Sequence, residues 1–196
     1  MTEAAALPAG YPARWEADVV LRDGSVAHLR PITPADEDAV HRFHGRQSDE
    51  SIYMRFFAPL RQLSDRDVKR FTNVDYHDRV AFVLTVAQRI IAVGRYDVIE
   101  AGRAEVAFLV QDAHQGRGIG QLLLEHLAQA GRERGVQRFV AEVLPDNRRM
   151  MQVFREQGYQ VKGGWDEGVM HLEFDIDPTE TSSASPTSTT TSASRW

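Results

Sequence analysis

The segment Val110 to Gly120, VQDAHQGRGIG, runs from the end of an apolar, strand-like stretch through a turn with three glycines into an amphipathic helix. A junction of this kind belongs to layered folds, in which a strand ends, turns sharply and sends a helix back across the sheet. Gln115, Gly116, Arg117, Gly118, Ile119 and Gly120 offer successive backbone amides at a helix start. There the first N–H groups lack intrahelical partners and the dipole favours negative charge, which makes the turn a seat for a pyrophosphate. Glycine suits positions 118 and 120 because a Cβ would hold a phosphate off the backbone and because such turns use positive φ. Tight packing of turn against helix is the purely structural alternative.

Two familiar phosphate-binding turns do not fit. A dinucleotide fingerprint starting at Gly116 would need glycine at Gln121, and a Walker loop would need a lysine, which the segment lacks. What remains, Gln115, Gly118 and Gly120 in a Q-x-x-G-x-G spacing, resembles the acetyl-CoA-binding turn of the GCN5-related N-acetyltransferases. A later segment, NRRMMQVFREQGYQ from Asn147, is similar to a second pattern of the same family: Asn147, an aromatic seven residues on at Phe154, then Gly158 and Tyr159. The two patterns stand in the family's order, and the resemblance spans roughly residues 18 to 177. It implies an α/β (α+β) acyl-CoA N-acyltransferase fold, with a mixed, mostly antiparallel sheet of six or seven strands and helices on both faces.

The letters between these segments support that order. Asp18–Leu21 and Val26–Arg30 flank Asp23-Gly24 as a hairpin. Thr33 followed by Pro34, and Ser64 with Asp67, are helix starts. Val80–Ala87, Ile90–Ile99 and Ala104–Val110 read as a three-stranded meander. Beyond the glycine turn, Ile119, Leu122, Leu123, Leu127 and Ala130 share one helical face, with Gly135 as the stop. A strand over Arg138–Leu144, a helix over Asn147–Gln157 and a strand over Val169–Ile176 complete the series. Residues 1–17 read as irregular, and residues 178–196, rich in Ser and Thr, as a disordered tail.

Composition narrows the function classes. A chain of 196 residues, 42% hydrophobic and 26% charged, suits a single domain, and without cysteine it has neither disulfides nor thiolate chemistry. The net charge of −5 argues against nonspecific nucleic-acid binding. No apolar run has membrane-spanning length, no signal peptide is visible, and the histidines lack metal-site spacing. The expectation is a cytoplasmic protein without metal.

The chemistry implied by the resemblance is acetyl transfer from acetyl-CoA to an amine. A lysine with pKa near 10.4 is almost wholly charged at pH 7, which adds about 4 kcal/mol to the barrier, so a general base is expected. Glu105 is the candidate: it opens the strand leading into the turn, shares a strand face with Ala107 and Leu109, and occupies the place of the base in the lysine-acetylating branch of the family. An exposed strand-end glutamate is the plainer alternative. On the acid side the family often has a tyrosine where this chain has Phe154, so no proton donor for the CoA thiolate is visible there. Tyr159 reads as core packing. Backbone groups near Leu109 and Val110, with Asn147, are candidates for holding pantetheine and polarising the carbonyl, although Asn147 also reads as a simple N-cap. Arg117, Arg148 and Arg149 lie where they could approach phosphates.

The stretch SDESIYMRFF from Ser48, with Asp75-Tyr76 and AEVLPDNRRM, is similar to the catalytic domain of Pat-type bacterial protein lysine acetyltransferases. That likeness implies an exposed lysine of a protein such as an acyl-CoA synthetase as acceptor, with Glu50, Arg55, Asp75 and Tyr76 facing it. Many relatives carry a regulatory module ahead of this domain; the short lead before the first hairpin implies regulation by a partner or none. A small-molecule amine acceptor and a non-catalytic CoA-binding domain remain alternatives.

Overall fold

The computed structural model describes residues 6–176. The expected tail from 178 lies outside these residues. Eight strands form one sheet in the order β1-β2-β3-β4-β5-β6-β8-β7: β1 Ala17–Val20, β2 Val26–Pro31, β3 Arg79–Val86, β4 Arg89–Glu100, β5 Arg103–Val110, β6 Arg138–Val143, β7 Lys162–Asp166 and β8 Val169–Asp175. The helices are α1 Glu37–His44, α2 Asp49–Phe56, α3 Asp65–Thr72, α4 Ile119–Glu133 and α5 Arg148–Glu156.

Caps set the helix starts as the sequence suggests. Thr33 and Asp36 close a capping box ahead of α1, and the Ser64 hydroxyl accepts the Asp67 N–H at the start of α3. Strand alternation then builds two cores. Along β3, Val80, Phe82 and Leu84 face α4 and α5, while Ala81 and Val83 face α1 and α3. On β5, Val106 and Phe108 join the first core. Trp15, ahead of β1, also enters it, its indole N–H donating to Glu133 at 2.9 Å, so the segment before residue 18 contributes to the core. No helix among the described residues is long and apolar enough to cross a membrane.

The sheet has one strand more than the upper expectation. β7, KGGWD, has two glycines, no apolar alternation and full exposure, so it carries no strand signal of its own. Its strand conformation comes from pairing with β8 across the two-residue turn Glu167-Gly168, both at positive φ, which matches the twist of a tight hairpin.

Candidate active site

Neighbouring strands pair antiparallel throughout except β5 and β6, which run parallel and meet only at Arg103–Arg138, Ala104–Phe139 and Glu105–Val140. Past Glu105 the two strands part. β5 continues to Val110 against β4, and β6 continues to Val143 against β8. Along residues 106–110 the edge of β5 that faces β6 therefore has no strand partner, and this wedge opens into a cleft of about 830 Å³. The cleft is lined by β5 from Glu105 to Val110, by the loop into α4, by Ala141 and Glu142 of β6, by α5 and by α2. The backbone groups near Leu109 and Val110, candidates for holding pantetheine, lie on this free edge. The register is regular at Val93–Leu109 and Ala92–Val110, so departure of the neighbouring strand, not a bulge, frees the edge.

The glycine turn forms the deep end of the cleft. Gly116 and Gly118 both have φ of +77°, and Gly118 is the N-cap of α4. Among the described residues the amides of Gly116 to Gly120 donate to no protein acceptor, which leaves a row of N–H groups at the positive end of a 15-residue helix. The residues present thus fit a diphosphate. Gly120 has a different reason from the one expected: its φ is ordinary, and a Cβ there would come within 2.9 Å of Val153 Cγ2, so it lets α4 approach α5. Gln115 ties the loop down, its amide donating to Val110 O at 3.1 Å and to Ser51 Oγ at 3.2 Å while accepting from Arg149. Ile119 is buried beneath the loop.

Arg117 is turned away from the cleft. Its guanidinium donates to Ser25 Oγ at 2.6 Å, to Asp23 and to His114 Nδ1 at 2.6 Å, pinning the β1–β2 hairpin to the loop. Because arginine can only donate, His114 Nδ1 must accept, which makes the ring neutral with its proton on Nε2. Burial, reinforced by Arg117, pushes His114 below its ordinary pKa. Arg22 from the same hairpin reaches over the turn instead, its side chain lying where a Cβ on Gly118 would meet Nε at 2.8 Å.

The remaining candidates divide. Glu105 is exposed at the apex of the wedge. Glu50 and Arg55, on α2, line the cleft with it. Asn147 Oδ1 accepts the Met150 N–H at 3.1 Å, so it is the N-cap of α5 as well as part of the cleft wall. Phe154 is buried between Phe108 and Phe174, with ring centroids 6.2 and 5.3 Å apart, and reaches the wall from within the core. Tyr159 stacks on Phe174 at 5.1 Å. Asp75 and Tyr76 are not brought to the cleft. Asp75 accepts the N–H groups of His77 and Arg79 in its own loop, and the buried Tyr76 hydroxyl donates to Ile32 O at 2.9 Å. Core packing consumes the Tyr76 side chain, which corrects its expected outward placement, while Asp75 remains exposed but is engaged by its own turn, away from the cleft.

Sequence reasoning missed several cleft residues. Arg22 and Gln121 come from segments that only the hairpin contact brings together. Asp112 accepts from the Ser48 N–H at 3.0 Å, the Ser48 hydroxyl at 2.8 Å and the Ser51 hydroxyl at 2.7 Å, docking the start of α2 onto the loop. Burial works to raise the Asp112 carboxyl, but these hydrogen bonds hold it below the usual range. The Ser48 helix start was the available signal, without its partner.

Known proteins match this architecture. The profile of the Acetyltransferase (GNAT) family covers residues 48–159, from the N-cap of α2 to just beyond α5. Acetyltransferase Pat of Mycolicibacterium smegmatis is 35% identical over 167 residues, 83% of this chain and 50% of that protein, so the chain spans about half the length of this curated relative. The crystal structure of the GNAT domain of S. lividans PAT is 54% identical with a TM-score of 0.80, over 84% of this chain and 99% of that one. A cAMP-binding acyltransferase from Mycobacterium smegmatis is 32% identical with a TM-score of 0.59, over 87% of this chain and 50% of that one. With the unpartnered edge of β5 and the amide-lined turn at the head of α4, these matches establish that the chain belongs to the GNAT family of acetyltransferases.

Proposed function

We propose that this chain moves the acetyl group of acetyl-CoA directly to the ε-amine of a lysine in a protein substrate, such as an acyl-CoA synthetase, with Glu105 as general base. The observation that carries the reading is the position of Glu105 as the last residue of β5 paired with β6, where that strand edge becomes free and the cleft begins. A carboxylate there meets an amine entering from one side while the strand edge beyond it holds the cosubstrate.

Acetyl-CoA supplies an activated thioester carbonyl. The amides of Gly116 to Gly120 bind its diphosphate, and the open edge of β5 over residues 106–110 hydrogen-bonds the pantetheine amides and polarises the carbonyl. Glu105 takes the proton from the lysine ammonium, directly or through one water, so that a neutral amine attacks. Phe154 has no proton to give, so the departing thiolate takes its proton from solvent; a thiol with pKa near 8.5 leaves readily enough for this. Similarity to Pat enzymes supports a protein lysine as acceptor, because the likeness includes α2, the element that faces Glu105.

The test is to incubate the purified chain with labelled acetyl-CoA and either native lysate of its host or a panel of small amines. Labelled protein that yields acetyl-lysine on digestion is the expected result. Label confined to small amines, or CoA binding without transfer, overturns the reading.

A further inference from the structure

The face of the sheet that carries Glu105 holds an uneven set of charges. Glu105 on β5 lies opposite Asp97 on β4, which lies opposite Arg79 on β3, and Arg95 on β4 lies opposite Ala107. Asp97 takes both arginines, accepting from Arg79 Nε at 3.0 Å and from Arg95 Nε and Nη2 at 2.8 and 2.9 Å. Burial works to raise the Asp97 carboxyl, and the two guanidiniums outweigh it, holding it below the usual range. Within that triad Asp97 is the shared anion of both arginines.

Arg55 reaches the same face from α2 and lines both the cleft and a small apolar pocket bordered by Ala107, Leu109 and Arg95. Its guanidinium lies over Phe56, centroid distance 4.9 Å; Phe56 stacks beside Phe71 at 6.4 Å; and Arg95 lies over Phe71 at 5.1 Å. Two arginines thus share one aromatic array, yet only Arg95 has a carboxylate. Among the described residues Arg55 makes no ion pair and no side-chain hydrogen bond, and Glu105 has no cationic partner within ion-pair distance, Arg55 included. Burial, with the repulsion of Arg95, pulls the Arg55 guanidinium down to about 10, so it stays cationic at neutral pH. A half-buried guanidinium without an anion is costly, and a carboxylate ligand removes that cost through charge-assisted hydrogen bonds.

One unpaired anion and one unpaired cation therefore face the same cleft. Their complement is an ammonium for Glu105 and a carboxylate for Arg55. We propose that Arg55 binds a carboxylate of the acceptor, so that the chain selects lysines with an acidic residue close beside them. The inference rests on the lysine transfer proposed above and adds the chemistry of the lysine's neighbour.

Two peptides that differ only in Asp or Asn next to the acceptor lysine provide the test, with acetyl-CoA saturating. The wild-type chain is expected to favour the Asp peptide in kcat/KM by about 10-fold or more, mainly through KM, the effect of one charge-assisted hydrogen-bonded pair. Arg55→Gln is expected to bring the ratio near 1 while calorimetric CoA affinity is kept; Arg55→Lys is expected to retain part of the preference. Equal use of both peptides by the wild type, or a preference that survives in Arg55→Gln, overturns the proposal. Should Arg55→Gln fail to bind CoA, the wild type and Arg55→Lys decide it alone. A wild-type preference for succinyl-CoA over acetyl-CoA, lost in Arg55→Gln, also overturns it by assigning Arg55 to the acyl chain. If neither peptide is acetylated while small amines are, the lysine reading itself has failed, which is a different outcome from a missing preference.

Discussion

From β1 to β5 each strand lies antiparallel to the next over most of its length, whereas β6 touches β5 at three residue pairs and gives its remaining edge to β8. The first region spends its backbone groups on itself. The second is a hairpin-like unit joined through a short parallel contact, and the cleft lies where the two fail to pair. Binding capacity here is unused sheet hydrogen bonding. The gap cannot be spanned by strands, so side chains hold it open at a set width: Phe108 of β5, Phe154 of α5 and Phe174 of β8 stack in series beneath it.

This contrast can be broken in four ways. The largest effect is expected at the apex. Glu105→Gln should lower kcat/KM by about 10²- to 10⁴-fold near neutral pH, the usual worth of a general base. CoA affinity by calorimetry should stay within about threefold, because the amides and the strand edge are untouched; unchanged turnover would remove Glu105 from the mechanism.

Next comes the aromatic bridge. Phe154→Ala deletes a fully buried ring that touches both regions, and truncations of this kind cost about 3–5 kcal/mol. Urea unfolding measures the loss, and CoA affinity should fall with it as the cleft width becomes undefined. A loss under about 1 kcal/mol would mean that the regions are joined elsewhere.

The third test probes the self-contained region through pH. The folded Asp97 carboxyl lies below its ordinary value of 3.8. The unfolded chain therefore binds the proton more readily, and the stabilisation is fully present above about pH 3.8 and is lost as pH falls through the folded value. Asp97→Asn should cost about 2 kcal/mol at pH 7, a buried-pair loss reduced for partial exposure, and the gap to wild type should close as pH falls through the folded value. A pH-independent difference in chemical denaturation would show that shape, not charge, makes the contribution.

The smallest effect is expected where α4 meets α5. Gly120→Ala gains helix propensity but presses on Val153, for a net loss of about 1 kcal/mol. Val153→Ala in the same chain should recover it, and a double-mutant cycle reads the coupling. Additive effects would show that contact with Val153 is not what disfavours a side chain at 120.

Much of this was legible in the letters, for identifiable reasons. Near-continuous apolar runs within residues 80–110 mark three strands, because strands buried on both faces need apolar side chains at most positions. Clustered glycines mark the turn because positive φ at 116 and 118 favours glycine. Local patterns were silent or misleading where a segment's state is set by its partner. β7 is a strand only because β8 pairs with it. Arg117 faces the hairpin because Asp23 and Ser25 are delivered there by folding, and Tyr76 points inward because Ile32 O meets its hydroxyl.

The order of elements, the helix starts and the amide-lined turn are properties of short stretches, governed by φ preferences, capping and periodicity acting within about ten residues. The parting of β5 from β6, the aromatic bridge that holds it, and the isolation of Arg55 beside Glu105 depend on segments about 20 to 50 residues apart. No local preference encodes them. They follow from which backbone edges and charges are left without partners once the whole sheet has packed.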